Sequence, residues 1–307
     1  MASATASGVT HRAFNSSNTD NNSNKHNNNN SSEMSVDPEL IQKAADLLWE
    51  ADANAAPIAP IRDLLGTSTD VDAAYAIQQI NTERKMAAGM RVSGRKIGVT
   101  SKAVQRQIGV DTPDFGTLFV QTEFGDGTEI PTHRMIQPRA EGEVALVLER
   151  DLDNAPHGFA EIVRAVAFAL PAIEVVDSRI ENWQISLVDT VADNASCGFY
   201  VVGSRPVPLR KFDIRTVPMS MSINGTEVSS GTGAECLGNP LHAARWLADE
   251  LCARGIPLRA GQVVMTGALG PLRPVTAGDE VAGRFGDLGT VTAFLGRDVA
   301  TQPPDNG

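Results

Sequence analysis

An α+β fold is the architecture the sequence predicts, with helices gathered early and a mainly β body after them. Three observations carry that expectation. Asp37-Pro38 opens a stretch with apolar residues at helical spacing, Leu40, Ile41, Ala44, Leu48 and Trp49. From Arg95 onward the pattern changes to short apolar runs punctuated by Gly, Pro and Asp. The 307 residues, 42% of them hydrophobic, suffice for one large core or two smaller ones.

Taken in order, residues 1–35 form a low-complexity tail centred on Asn27-Asn28-Asn29-Asn30, too polar to repay ordering and expected to be disordered. Residues 36–94 form a helical region. Asp37 caps the first helix and Pro38 occupies its first turn. Pro57 and Pro60 interrupt it, and a second helix runs from about Val71 to Ala88 with Gly89 as its stop. Residues 95–300 form the β-rich body. Its candidate strands are Arg95–Val99, Thr117–Val120, Glu143–Glu149, Pro171–Val176, Gly198–Val202, Met219–Ile223, Val263–Thr266, Glu280–Phe285 and Gly289–Phe294. Asn224-Gly225 reads as a hairpin turn. Two helices interrupt the strands, one over Phe159–Leu170 and one capped by Asn239 and entered by Pro240.

Composition narrows the function. Lys and Arg number 26 against 37 Asp and Glu, a net charge of -11 with no basic stripe, which argues against nucleic acid. The mean hydropathy of -0.14 and the lack of a bilayer-length apolar run argue against a membrane protein. No signal-peptide pattern opens the chain, so the cytoplasm is the expected location. Cys197, Cys236 and Cys252 have neither zinc-finger spacing nor an even count, and read as reduced, mostly buried thiols.

The segment Pro138-Arg139-Ala140-Glu141-Gly142-Glu143-Val144-Ala145-Leu146-Val147-Leu148 carries the chemistry. Glu141 and Glu143 stand two apart in an apolar strand, so both project from one face. Like charges against an apolar interior are costly unless something neutralises them, and Mg2+ or Mn2+ with oxygen ligands would do so. Glu174, inside Ile173-Glu174-Val175-Val176, needs a partner for the same reason. On spacing alone, ion-paired structural glutamates account for these residues as well as metal ligands do.

Further motifs carry a resemblance. They are Arg95-Lys96-Ile97-Gly98-Val99-Thr100-Ser101, Gly109-Val110-Asp111-Thr112-Pro113-Asp114-Phe115-Gly116, and Val188-Asp189-Thr190-Val191-Ala192-Asp193-Asn194-Ala195-Ser196-Cys197-Gly198. Ser229-Ser230-Gly231-Thr232-Gly233-Ala234-Glu235-Cys236-Leu237-Gly238 and Val264-Met265-Thr266-Gly267-Ala268-Leu269-Gly270-Pro271 complete the set. Together with the glutamate segment, and over about Val36 to Leu295, the chain resembles the 2-keto-4-pentenoate hydratase family of the fumarylacetoacetate hydrolase superfamily. The resemblance implies a mixed β-roll or barrel around a carboxylate-held Mg2+ or Mn2+, with Glu141, Glu143 and Glu174 on the metal triad. It implies a hydro-lyase acting on a small 2-oxo/2-hydroxy dienoic acid in meta-cleavage aromatic catabolism, and a homo-oligomer that could associate with other pathway enzymes.

Within that reading Lys96 serves charge stabilisation or proton transfer at the substrate oxygens, against the alternative of an ordinary surface lysine. Asp114 is the acid/base near the distal carbons, against plain turn chemistry, with Asp111 its less favoured substitute. Ser196 hydrogen-bonds the substrate carboxylate or a water, against a buried and locally satisfied serine. Arg139 orients a glutamate or forms a structural salt bridge. Thr266-Gly267 brings backbone close to the ligand or simply turns the chain. His133, His157 and His242 are exposed or structural. Two rival activities share the site chemistry or the fold: 4-oxalocrotonate decarboxylation and C–C bond hydrolysis, the latter lacking a suitable His. A rival of another class is a non-catalytic partner subunit.

Overall fold

The computed structural model of the chain describes residues 36–102, 105–106 and 109–296; the expected tail at 1–35 lies outside them. Helix α1 (Pro38–Asn54) begins where the Asp37 carboxylate accepts the Glu39 N–H at 2.9 Å, and buries Ala44, Ala45, Leu48 and Ala51. After a short α2 (Ile61–Leu65), helix α3 (Val71–Ala87) is capped in the same way by Asp70 and packs on α1.

The strands follow as β1 (Val92–Gly98), β2 (Asp114–Phe119), β3 (Glu123–Gly125), β4 (Glu129–Ile130) and β5 (Arg139–Leu148). Helix α4 (Phe159–Ala165) leads directly into β6 (Val166–Val176), and α5 (Leu187–Ala192) precedes β7 (Cys197–Val202). The hairpin β8 (Pro218–Ile223) and β9 (Thr226–Thr232) turns at Asn224 and Gly225, both at positive φ as the Asn-Gly pair predicts. Helix α6 (Pro240–Ala253), capped by Asn239, is followed by β10 (Val263–Ala268), β11 (Arg273–Pro274), β12 (Glu280–Arg284) and β13 (Thr290–Leu295).

Two strand assignments differ from the sequence expectation in ways that matter. The helix expected over Phe159–Leu170 ends at Ala165, and residues 166–170 belong to β6. A run of small and apolar residues fits a buried strand as well as a helix, and here Ala169 exchanges both backbone hydrogen bonds with Val207. Asp114, expected in a turn, opens β2 opposite Gly98.

Among the described residues, the larger sheet has eight strands in the order β2-β1-β10-β5-β6-β7-β3, with β11 alongside β5, and the smaller has five, β4-β13-β12-β8-β9. The larger sheet is strongly curled. In a flat sheet β1 and β7 would stand four strand spacings apart, about 19 Å. Instead the Tyr200 hydroxyl of β7 lies 2.7 Å from the Ser93 hydroxyl of β1. The convex face, with Ile97, Phe115, Val144, Leu146, Ile173, Val175 and Val264, joins the main core. The concave face is floored by a separate cluster of Leu118, Ala145, Leu170, Ala172, Cys197, Tyr200 and Met265. None of the described helices is long and apolar enough to cross a membrane.

Candidate metal centre

Register places the acidic residues. On the antiparallel β5–β6 ladder Glu141 stands directly opposite Glu174, and Glu143 follows two residues on, opposite Ala172. Paired residues project to the same side of a sheet, so all three carboxylates enter the concave face. One oxygen from each lies within 4.8 Å of the others, and all three residues are buried.

Their hydrogen-bonding capacity is largely unused. Glu143 Oε2 accepts the Gly267 N–H at 2.8 Å, while Glu143 Oε1 and both Glu174 oxygens have no hydrogen-bond partner among the described residues. Lys96 Nζ approaches Glu174 Oε1 to 3.3 Å, an ion pair without hydrogen-bond alignment. Burial, and then the charge of Glu174, lift the Glu141 carboxyl to about 7 and push Glu143 well above the usual carboxylate range. Three convergent carboxylates with buried, unpartnered oxygens are a donor set suited to a hard divalent cation such as Mg2+.

Gly267 is where the backbone must come close. Its φ is +107°, and a Cβ there would sit 2.3 Å from Thr100 Oγ1. Only glycine holds that conformation in that space, and its N–H fixes Glu143. The expected close approach at Thr266-Gly267 is therefore made toward a glutamate.

Lys96 reaches the triad from β1, in register with Met265 and, through it, with Ala145 on the same face as Glu143. It is buried rather than a surface lysine. Burial works against its ammonium, but Glu174, Asp114 and Glu141 outweigh that and hold its pKa above the ordinary lysine value. Asp114 is also buried, with Oδ1 unpartnered. A Cβ at position 98 would meet that oxygen at 2.2 Å, so Gly98 leaves the room Asp114 occupies. Burial raises the Asp114 pKa and Glu174 adds to the effect, while Lys96 and the Thr190 hydroxyl oppose it.

Ser196 sits in the turn entering β7. Its Oγ lies 3.4 Å from Thr190 Oγ1 and 3.5 Å from Asp193 Oδ2, so Thr190 stands between Ser196 and Asp114. Thr190 lies in a quoted motif, but a six-residue helix offers no periodicity that would have singled it out. Cys197 faces the same interior, and burial, then Glu174, push its thiol to about 12, so it stays protonated.

The remaining sequence candidates fall elsewhere. Asp111 is exposed. Arg139 stacks over the Trp183 ring at 4.3 Å and, among the described residues, pairs with no carboxylate. His157 is buried and bonded through Nδ1 to Asp249 at 2.7 Å, whereas His133 and His242 are exposed. All three cysteines are free thiols.

Residues 65–295 match the family described as fumarylacetoacetate (FAA) hydrolase C-terminal. A 2-keto-4-pentenoate hydratase of Burkholderia vietnamiensis is 52% identical over 84% of this chain and 98% of its own length. A TodF product hydratase of Pseudomonas putida is 51% identical over 84% of this chain and 96% of its own. Among solved structures, 4-oxalocrotonate decarboxylase from Pseudomonas putida G7, complexed with magnesium and adipate, superposes with a TM-score of 0.81. It is 33% identical, over 85% of this chain and 99% of that one. The chain belongs to the fumarylacetoacetate hydrolase family and, within it, to the 2-keto-4-pentenoate hydratases, which are hydro-lyase enzymes.

Proposed function

We propose that this enzyme is a divalent-metal-dependent hydratase that adds water to 2-hydroxypenta-2,4-dienoate (2-keto-4-pentenoate) and yields 4-hydroxy-2-oxopentanoate. The observation that carries the reading is the buried Glu141–Glu143–Glu174 cluster with its unpartnered oxygens beside Lys96 and Asp114. Glu141, Glu143 and Glu174 would hold Mg2+ or Mn2+, which when bound supplies Lewis-acid stabilisation of an enolate.

The chain's own groups do the rest. Lys96, kept charged by its carboxylate neighbours, faces the negative charge that builds on the substrate oxygens; an ammonium so stabilised is a poor proton donor and a good counter-charge. Asp114, with a raised pKa, is the group suited to hand a proton to the distal carbon and to take one from the adding water. Ser196, backed by Thr190, offers a hydroxyl to the substrate carboxylate or to that water. The apolar floor of Ala145, Leu170 and Met265 closes the concave face beneath the carboxylates. The same reading makes the protein a cytoplasmic homo-oligomer acting within meta-cleavage aromatic catabolism, beside the enzymes that make its substrate and use its product.

The likeness to 4-oxalocrotonate decarboxylase supports a second reading, because an enolate sink serves loss of CO2 from an oxo-diacid equally well. Identity of 51–52% to the hydratases against 33% to the decarboxylase favours hydration. Loss of dienoate absorbance, followed with and without Mg2+ or Mn2+ in wild type and Glu143→Gln, tests the proposal. Metal dependence and a large loss in the variant are expected. Equal rates in both proteins would refute it, and CO2 release from 4-oxalocrotonate without dienoate hydration would hand the site to the second reading.

A further inference from the structure

Three consecutive non-glycine residues, Asn194, Ala195 and Ser196, hold left-handed backbone at φ 55°, 51° and 52°. Side chains make that conformation unfavourable, and consecutive examples need surroundings that impose it. Here the restraint comes from the Asn194 side chain. Its Oδ1 accepts the Thr117 N–H at 2.7 Å and its Nδ2 donates to the Thr117 carbonyl at 3.0 Å. Thr117 lies on β2, an edge strand whose outward backbone groups have no neighbouring strand among the described residues, and the Asn194 carboxamide pairs with those of Thr117 as a peptide unit would.

The fit is close on every side. The Asn194 carbonyl lies over Gly116, where a Cβ would stand only 2.4 Å from its oxygen. Beyond the turn, the Ser196 carbonyl accepts the Asp177 N–H at 2.8 Å, and the Ser196 N–H donates to the Asp193 carbonyl at 3.0 Å. Asp193 is itself held by the Arg179 Nε at 2.5 Å and the Arg179 N–H at 3.0 Å. The strand that Asn194 grips is the one that Asp114 opens, and the turn that Asn194 begins ends on Ser196.

We propose that Asn194 is a positioning residue: by clamping both backbone groups of Thr117 it imposes the left-handed turn and so fixes the Ser196 hydroxyl relative to Asp114. The inference rests on the role proposed above for Ser196. No metal ligand takes part in the clamp, so its loss leaves cation binding intact.

The test is a double-mutant cycle in the metal-loaded enzyme. Steady-state kinetics on the dienoate are measured for wild type, Asn194→Gly, Ser196→Ala and the double variant, with Mn2+ affinity and thermal melting measured on each. Glycine is chosen because it tolerates the left-handed φ while removing the clamp. Asn194→Asp is the second variant, keeping the acceptor for the Thr117 N–H while setting an oxygen against the Thr117 carbonyl. Asn194→Gly is expected to lower kcat/KM by about 10- to 100-fold, comparably to Ser196→Ala, with Mn2+ affinity unchanged. The double variant is expected to be no slower than Ser196→Ala, because the two changes disable one device. Losses that multiply, a wild-type rate in Asn194→Gly beside an impaired Ser196→Ala, or loss of the cooperative fold in both Asn194 variants would each overturn the proposal. A wild-type rate in Ser196→Ala is a different failure: it removes Ser196 from the proposed function and this inference with it.

Discussion

Glu143→Gln should do two opposite things to stability. Glu143 is fully buried and shares its site with two other carboxylates, and its pKa is pushed up first by burial and then by Glu174 and Glu141. In the metal-stripped protein that carboxylate is a liability. The glutamine is isosteric and neutral, and its carboxamide oxygen can still accept the Gly267 N–H. An uncompensated buried polar or charged group costs about 1–3 kcal/mol. A domain of this size moves about 2–4 °C in Tm per kcal/mol, so the stripped variant should melt roughly 2–12 °C above stripped wild type. With the cation added, the order reverses. A ligand at one hundred times its Kd stabilises by about 2.7 kcal/mol, raising wild type by roughly 5–10 °C, whereas the variant has lost a ligand and should gain little. Differential scanning fluorimetry with EDTA and then with a Mg2+ or Mn2+ series reads both limbs. A stripped variant less stable than stripped wild type, or equal metal-induced shifts in the two proteins, would refute the picture of three carboxylates awaiting a cation.

Other expectations follow from the same geometry. Glu141 ionises near 7 in the folded protein against 4.5 ordinarily, so between those values the folded state holds a proton that the unfolded chain releases. Stability of the metal-stripped protein should therefore fall as pH rises through that window, by about 3 kcal/mol, and go on falling above it as Glu143, raised further, loses its proton, as urea titrations at several pH values would show. Lys96→Met should cost at least about 100-fold in kcat/KM while calorimetry finds Mg2+ affinity undiminished, because the variant removes a cation that competes for Glu174. Asp114→Asn should lower kcat by about 10²- to 10⁴-fold and leave Mg2+ binding unchanged, since Asp114 lies outside the triad. Gly267→Ala forces a side chain to φ +107° and to within 2.3 Å of Thr100, and should lower both Tm and, by about tenfold, metal affinity by displacing the backbone N–H that holds Glu143.

The sequence was informative wherever chemistry is local. The caps at Asp37 and Asn239, the Asn224-Gly225 turn and the alternation that aligns Glu141 with Glu143 are all short-range signals, and each is found in the structure. Asp114 was harder, because Pro113-Asp114 reads as a turn and its strand pairing opposite Gly98 is set by β1, sixteen residues earlier. The helix expected across Phe159–Leu170 stops before Val166, because pairing of Val166 with Leu148 and of Ala169 with Val207 overrides a pattern that suits either state. Asn194 lies in the Val188–Gly198 motif, yet no sequence signal assigns it a role of its own. Its importance lies in a backbone conformation and in a contact with Thr117, and neither leaves a periodic trace.

Why the triad sits on neighbouring strands, and not on loops, follows from register. Glu141 and Glu174 face each other across a hydrogen-bonded ladder, so the pleat, more than the side chains, sets their separation. A slip of one residue between β5 and β6 would turn one of them to the convex face, into the apolar core around Val144 and Ile173. That outcome buries a charge with no partner, while the apolar residues displaced with it would crowd the concave site. The alternation of acid and apolar side chains along Glu141–Leu146 therefore holds the register and delivers the ligands with one pattern. Gly142 lies between the two acids because Met219 and Phe285 press on that position, where a Cβ would come within 3.0 Å of the Met219 sulfur. The smaller sheet thus braces, from the convex side, the stretch of β5 that carries the carboxylates. A Gly142→Ala variant should melt lower and, with no change to any ligand atom, bind Mg2+ more weakly by an amount that tracks the loss in Tm. Weakened stability with full Mg2+ affinity would mean that the ladder alone, without the second sheet, fixes the triad.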